Sequence, residues 1–194
     1  MDIDMTYEKD NRLEFSLNGS SVAFANLLRR YSIGNVPVFA IDKVTFYENS
    51  SVMFDEYMAH RLGEVPLASE SGNAKEEIIL TMDVEGPATI YSRDLKSMDS
   101  KIKASLDNIP LFKLLEGQNV RLEAKARRGM GKEHGKFQAG IMSYELLNAN
   151  DFKFKAESFT QLEPRTFVTK AADIIIEKCD EFEEKLSDIK KAKE

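Results

Sequence analysis

Cysteine is nearly missing from this sequence: Cys179 is the one such residue among 194. An internal disulfide is therefore excluded, as are a zinc ribbon and a four-cysteine iron–sulfur site held by this chain alone. Histidine is almost as scarce, with only His60 and His134. With so few nitrogen and sulfur ligands, the expectation is no metal and no cofactor. No run approaches the ~18 apolar residues of a membrane helix. The opening Met-Asp-Ile-Asp has neither the basic region nor the apolar core of a signal peptide. These absences lead to the expectation of a soluble, cytoplasmic chain. A basic arm is lacking too: the net charge is −6, and residues 1–50, 51–150 and 151–194 each contribute −2. That even spread argues against independent nucleic-acid binding. The local exception is residues 121–136, with six basic side chains against two acidic ones.

What is present organises the chain into three parts. Ile3, Met5 and Tyr7 alternate with polar residues, and after a polar turn so do Leu13, Phe15 and Leu17. This spacing predicts a β-hairpin with one buried face. Asn18-Gly19-Ser20 signals a helix start, and a helix is predicted to about Ile33, stopped by Gly34-Asn35 and Pro37. Val38–Ile41 and Val44–Tyr47 are β-rich, and a short helix is predicted over about Asp55–Leu62. A polar stretch follows at Ala68–Lys75. Alternation at Ile78–Val84, Val120–Ala126 and Gly140–Leu146 makes the middle hundred residues mostly β. One further strand is expected around Phe152 and Phe154. Pro164 then fits the first turn of a helix that nothing interrupts through Glu194.

Along that last helix Val168, Ala172, Ile175, Cys179, Phe182, Leu186 and Ile189 are spaced four and three residues apart by turns. Such a seam is that of a helix pairing with another helix, although a long amphipathic core helix shows the same spacing. Phe167, Ala171 and Ile174 form a second stripe along its first half.

Catalytic patterns fail on inspection. Glu56 and His60 are four apart on the short helix, but a zinc helix needs two histidines at that spacing and a third ligand. Gly129-Met130-Gly131-Lys132 lacks the spacing, the following Ser or Thr and the following helix of a phosphate loop. Asp55/Glu56 and Glu76/Glu77 are neighbours in sequence, an arrangement usually just solvated. The expectation is that no residue of this chain is catalytic.

Four blocks carry a family resemblance. Asn26-Leu27-Leu28-Arg29-Arg30 followed by Val36–Asp42 resembles the helix-and-strand motif of the RNA polymerase α-like subunits. Asp55–Leu67, Gly131–Gln138 and Ser158–Leu162 resemble that family's next blocks, in order. The pattern is similar to the archaeal D-type subunit, a relative of the bacterial α amino-terminal domain and of the third-largest subunit of eukaryotic polymerase II. The resemblance implies an α+β fold. A discontinuous α/β assembly (dimerisation) domain, residues 1–48 and 151–194 with the long C-terminal helix, would be interrupted by a mostly β insert domain at 49–150. It also implies an assembly-platform role in DNA-directed RNA polymerase, a nucleotidyltransferase complex. The chain would heterodimerise with subunit L, then dock the small subunits N and P and the second-largest one, B, meeting nucleic acid only through the complex. Many D-type chains carry an iron–sulfur insertion. Here Leu146–Asn150 joins two strand patterns directly where it would sit, so the short form without it is expected.

Interface residues expected on these grounds are Asn26, Arg29 and Arg30 on the first helix, His60 and Arg61 on the second, and Lys132 and His134 in the basic turn. Ile175, Cys179, Phe182, Leu186 and Ile189 on the terminal seam complete the set. Two readings of another class stay open: a stand-alone small-molecule enzyme with a pocket in the β region, and a nucleic-acid module using residues 121–136.

Overall fold

A computed structural model describes residues 1–69, 77–99 and 101–191. Glu76, most of the polar stretch 68–75 and the last three residues of the predicted terminal helix lie outside the described residues. The fold is α+β, and the chain forms two compact units: residues 1–36, 139–158 and 163–194, and residues 37–138 with 159–162.

The first unit is an antiparallel sheet with two helices. Its strands are β1 (Asp2–Lys9) and β2 (Arg12–Asn18) from the start of the chain, and β11 (Gly140–Asn148) and β12 (Asp151–Ser158) from its second half, in the order β1-β2-β12-β11. Register places Leu13, Phe15 and Leu17 opposite Ala156, Phe154 and Phe152, and all six are buried. The opposite face carries cross-strand ion pairs, Arg12–Glu157 at 3.2 Å and Lys153–Glu14 at 2.9 Å.

Helix α1 (Val22–Asn35) is capped by the Ser21 hydroxyl, which accepts from the Phe24 N–H at 3.2 Å, and ends where Pro37 forbids continuation. It packs on α3 (Pro164–Lys191) and β11, and α3 packs on β12 and β2. Ala25, Leu28, Phe167 and Ala171 are among the helices' buried positions. The hairpin does not bury one face throughout as its alternation suggested. Ile3, Met5 and Tyr7 are 61%, 46% and 45% exposed, because the helices pack on β2, β11 and β12 and β1 lies at the edge.

The second unit is built on the sheet β3-β10-β5-β7, comprising β3 (Pro37–Asn49), β10 (Asn119–Met130), β5 (Glu77–Glu85) and β7 (Lys96–Ser97). Two short ladders complete it: β4 (Leu67–Ser69) with β8 (Ile102–Ala104), and β6 (Ala88–Tyr91) with β9 (Pro110–Leu114). Helix α2 (Asp55–Gly63) packs on β3 and β9 through buried Met58 and Leu62. The two β-rich stretches after α1 are one strand, and it is kinked. Ile41 pairs with Ala126 and Lys43 with Lys125, leaving Asp42 as an extra residue; Tyr47 is likewise extra between Phe46 and Glu48. These are β-bulges, which turn a strand and re-aim a side chain.

The unit boundaries differ from the sequence expectation at two strands. β3 falls with the second unit because its ladder partner is β10, and β11 falls with the first because it pairs with β12. Among the described residues, no helix is long and apolar enough to cross a membrane.

Candidate functional site

The expected chemistry of this chain lies in surfaces, and unit 1 carries the most apolar of them. A groove of about 550 Å³ lies between β1 and α3, with α1 at its margin. Met1, Ile3 and Met5 line one wall, Val168, Ala172, Ile175 and Ile176 the other, and Phe15 and Leu17 contribute to its lining. Arg165 links the walls: its Nη2 donates to Glu8 Oε2 at 2.6 Å. That carboxylate holds the guanidinium above its usual pKa.

The terminal seam splits into two parts. Phe167 and Ala171 of the second stripe are fully buried, whereas Val168, Ala172 and Ile175 are half-buried along the groove. Beyond Ile175 every described α3 side chain is exposed. Phe182 is 64% exposed, Leu186 44% and Ile189 55%, and Cys179 is an exposed free thiol. Lys178 and Glu181 pair at 2.7 Å on the same helix; this raises the Lys178 pKa and lowers that of Glu181. An apolar edge flanked by charges is also the pattern of a helix–helix seam.

On α1, Arg29 is half-buried and held by its own helix, its Nη2 and Nε donating to Asn26 Oδ1 at 3.0 and 3.3 Å. Arg30 is exposed. Asn26 is thus the orienting residue of the pair, a relationship its three-residue spacing anticipates.

The remaining expected residues belong to unit 2. His60 is exposed on α2, while Arg61 is half-buried and its Nη2 donates to the Pro110 carbonyl. The basic turn after β10 is tied down by ion pairs. Arg127 Nε and Lys136 Nζ both donate to Asp42, at 3.0 and 2.8 Å, and Arg127 Nη1 donates to Glu133 Oε2 at 3.1 Å. The Lys136 ammonium first, and the Arg127 guanidinium with it, hold the Asp42 carboxyl below its usual range despite partial burial. Phe137 is fully buried against Gly129, where an added Cβ would stand 2.8 Å from the ring carbons. Lys132 and His134 are exposed, and His134 Nδ1 accepts the Lys136 N–H at 3.1 Å, capping the 3-10 turn Gly135–Phe137.

The structure therefore gathers Ile175 beside the groove and Cys179, Phe182, Leu186 and Ile189 on the overhang. Lys132 and His134 share one turn, and His60 and Arg61 one helix. Sequence reasoning missed Met1, Ile3 and Met5 as an exposed wall, and it missed Asp42. Their alternation was visible, but not which side of it the helices cover. Among the described residues, no group of three or more His, Cys, Asp or Glu side chains could hold a metal ion.

Comparison with known proteins adds to this geometry. A family model described as the RNA polymerase Rpb3/RpoA insert domain matches residues 44–148. Over 172 residues the chain is 39% identical to the DNA-directed RNA polymerase subunit Rpo3 of Methanocaldococcus jannaschii, covering 89% of this chain and 88% of the relative. It is 40% identical over 153 residues to the Rpo3 subunit of Pyrococcus furiosus, covering 75% of this chain and 59% of that relative. Against the Rpo3 subunit of Natronomonas pharaonis the identity is 41% over 186 residues, with 93% and 74% covered. The match thus spans about three fifths of the Pyrococcus relative and most of the Methanocaldococcus one.

Proposed function

The chain belongs to the Rpo3 family of DNA-directed RNA polymerase subunits, and from that premise we propose that it is a non-catalytic assembly platform of that enzyme. Unit 1 serves as the dimerisation domain, and its partner is the smaller α-like subunit L. The groove and the overhanging seam of α3 form the contact. Unit 2 is the insert, and through the surfaces of α2 and the basic turn it docks the small subunits N and P and the second-largest one, B. Nucleic acid is reached only through the assembled complex.

The observation that carries this reading is the α3 overhang. Helices in water draw most of their stability from packing an apolar face, yet the described residues after Ile175 bury no such face within this chain. An apolar edge of Phe182, Leu186 and Ile189 is covered economically by one long helix of another chain. The groove continues that edge towards β1, giving the partner's helix somewhere to enter.

Co-purification tests the proposal. Tagged chain recovered from native extract is expected to bring down the catalytic polymerase subunits together with a small α-like subunit in equal amount. Recovery of the chain with none of these would contradict the reading.

A further inference from the structure

The bulge at Asp42 has a consequence for the basic turn. Asp42 has no cross-strand partner in the β3–β10 ladder, because Ile41 and Lys43 take the consecutive positions Ala126 and Lys125. Freed from that pairing, its carboxylate is aimed at the two ends of the segment that follows β10's pairing with β5. Oδ2 accepts from Arg127 Nε at 3.0 Å, before the turn, and Oδ1 accepts from Lys136 Nζ at 2.8 Å, after it. The two cations also lie over the Phe137 ring, at 4.6 and 5.2 Å from its centroid. Inside the turn, Glu133 takes the Arg127 Nη1 and the Met130 N–H, both at 3.1 Å. Charge-assisted bonds are shorter and about twice as strong as neutral ones. One carboxylate on a neighbouring strand thus fastens both arms of a turn whose tip is bounded by Gly131 and Gly135.

We propose that Asp42 is the positioning residue of this turn: it holds residues 131–136 in one conformation, with Lys132 and His134 presented outward to an acidic protein surface. The presentation role rests on the reading that this turn touches another polymerase subunit; the positioning role does not. Of the turn's cations, Arg127 and Lys136 are engaged by Asp42 and Arg128 lies over the Phe39 ring, 5.3 Å from its centroid, while Lys132 is exposed at the tip. A preformed tip loses less conformational freedom on docking than a mobile one. A bulge that re-aims a carboxylate is the device that makes it preformed.

Hydrogen exchange on the full chain tests this. In Asp42→Asn, the amides of residues 131–137 are expected to exchange faster by on the order of ten-fold, while those of β5 stay unchanged. Lys136→Met, which leaves Asp42 paired with Arg127, should move the same amides in the same direction and serves where the first variant folds poorly. Unchanged exchange in the turn would overturn the proposal. So would equal acceleration across the whole unit, which is the mark of a merely structural carboxylate. Assembly with the other polymerase subunits is then measured for Asp42→Asn, Lys132→Glu and the double variant. Coupled losses, smaller together than the product of the single ones, are expected if Asp42 acts through the turn; independent losses would overturn the presentation role. A wild-type chain that enters no polymerase, with exchange in the turn still governed by Asp42, would refute the functional reading while upholding the positioning.

Discussion

Phe15 and Phe154 lie face to face, their ring centroids 4.9 Å apart and their planes 4° from parallel. One belongs to the first hairpin and the other to the last strand, and both are buried. The contact joins two segments of one unit that residues 37–138 separate in the sequence. Tyr144 adds to it, edge-on to Phe152 at 5.6 Å.

Truncating this pair should therefore unfasten unit 1. Phe154→Ala is expected to cost about 3–5 kcal/mol, from lost burial and the cavity left behind. Thermal or urea unfolding of the full chain measures the loss. A cost below about 1 kcal/mol would show that the two segments are held by other contacts.

The arginines of α1 should act at the surface. Arg30 is exposed and Arg29 is oriented by Asn26, so replacing both arginines by alanine should leave stability within about 1 kcal/mol. Incorporation into polymerase should weaken. Asn26→Ala should produce part of the same loss, by releasing Arg29. Normal incorporation of the double variant, measured by reconstitution, would remove α1 from the interface.

Acid should loosen the Asp42 cluster. The folded carboxyl is held below its ordinary range by Lys136 and then Arg127, so the unfolded chain takes up this proton first as pH falls. The group's stabilising contribution is present in full above the unfolded value of about 3.9, and is lost as pH drops through the folded one. Urea midpoints of wild type and Asp42→Asn should therefore differ by a constant amount above about pH 5 and converge below about pH 4. Parallel curves down to the acid limit would show that Asp42 gains nothing from its two cations.

Much of this architecture could be read from residue spacing, and its failures have physical causes. The first hairpin, both shorter helices and the long terminal helix are visible because each keeps one period over several turns or alternations. β3 reads as two stretches because bulges at Asp42 and Tyr47 shift the alternation twice. Strands β7, β8 and β9 span two to five residues, too few for a period to show. The seam on α3 was visible as a pattern, but spacing alone could not say that Phe167 and Ala171 face inward while Phe182 faces out. The exposed wall of Ile3 and Met5 was hidden for the same reason: alternation reveals that a face is apolar, not what lies over it. The four motif blocks pointed to the family independently of these errors.

The central claim is that the α3 seam is a subunit interface, and Phe182 tests it most directly because it is exposed in the chain by itself. Phe182→Asp should leave the unfolding midpoint of the isolated chain unchanged, since no core contact is lost. Titrated against the small α-like subunit, the same variant should show affinity reduced at least a hundred-fold, about 2.7 kcal/mol or more, as a charge is buried against an apolar helix. Undiminished affinity for that subunit, with stability equally unchanged, would contradict the account.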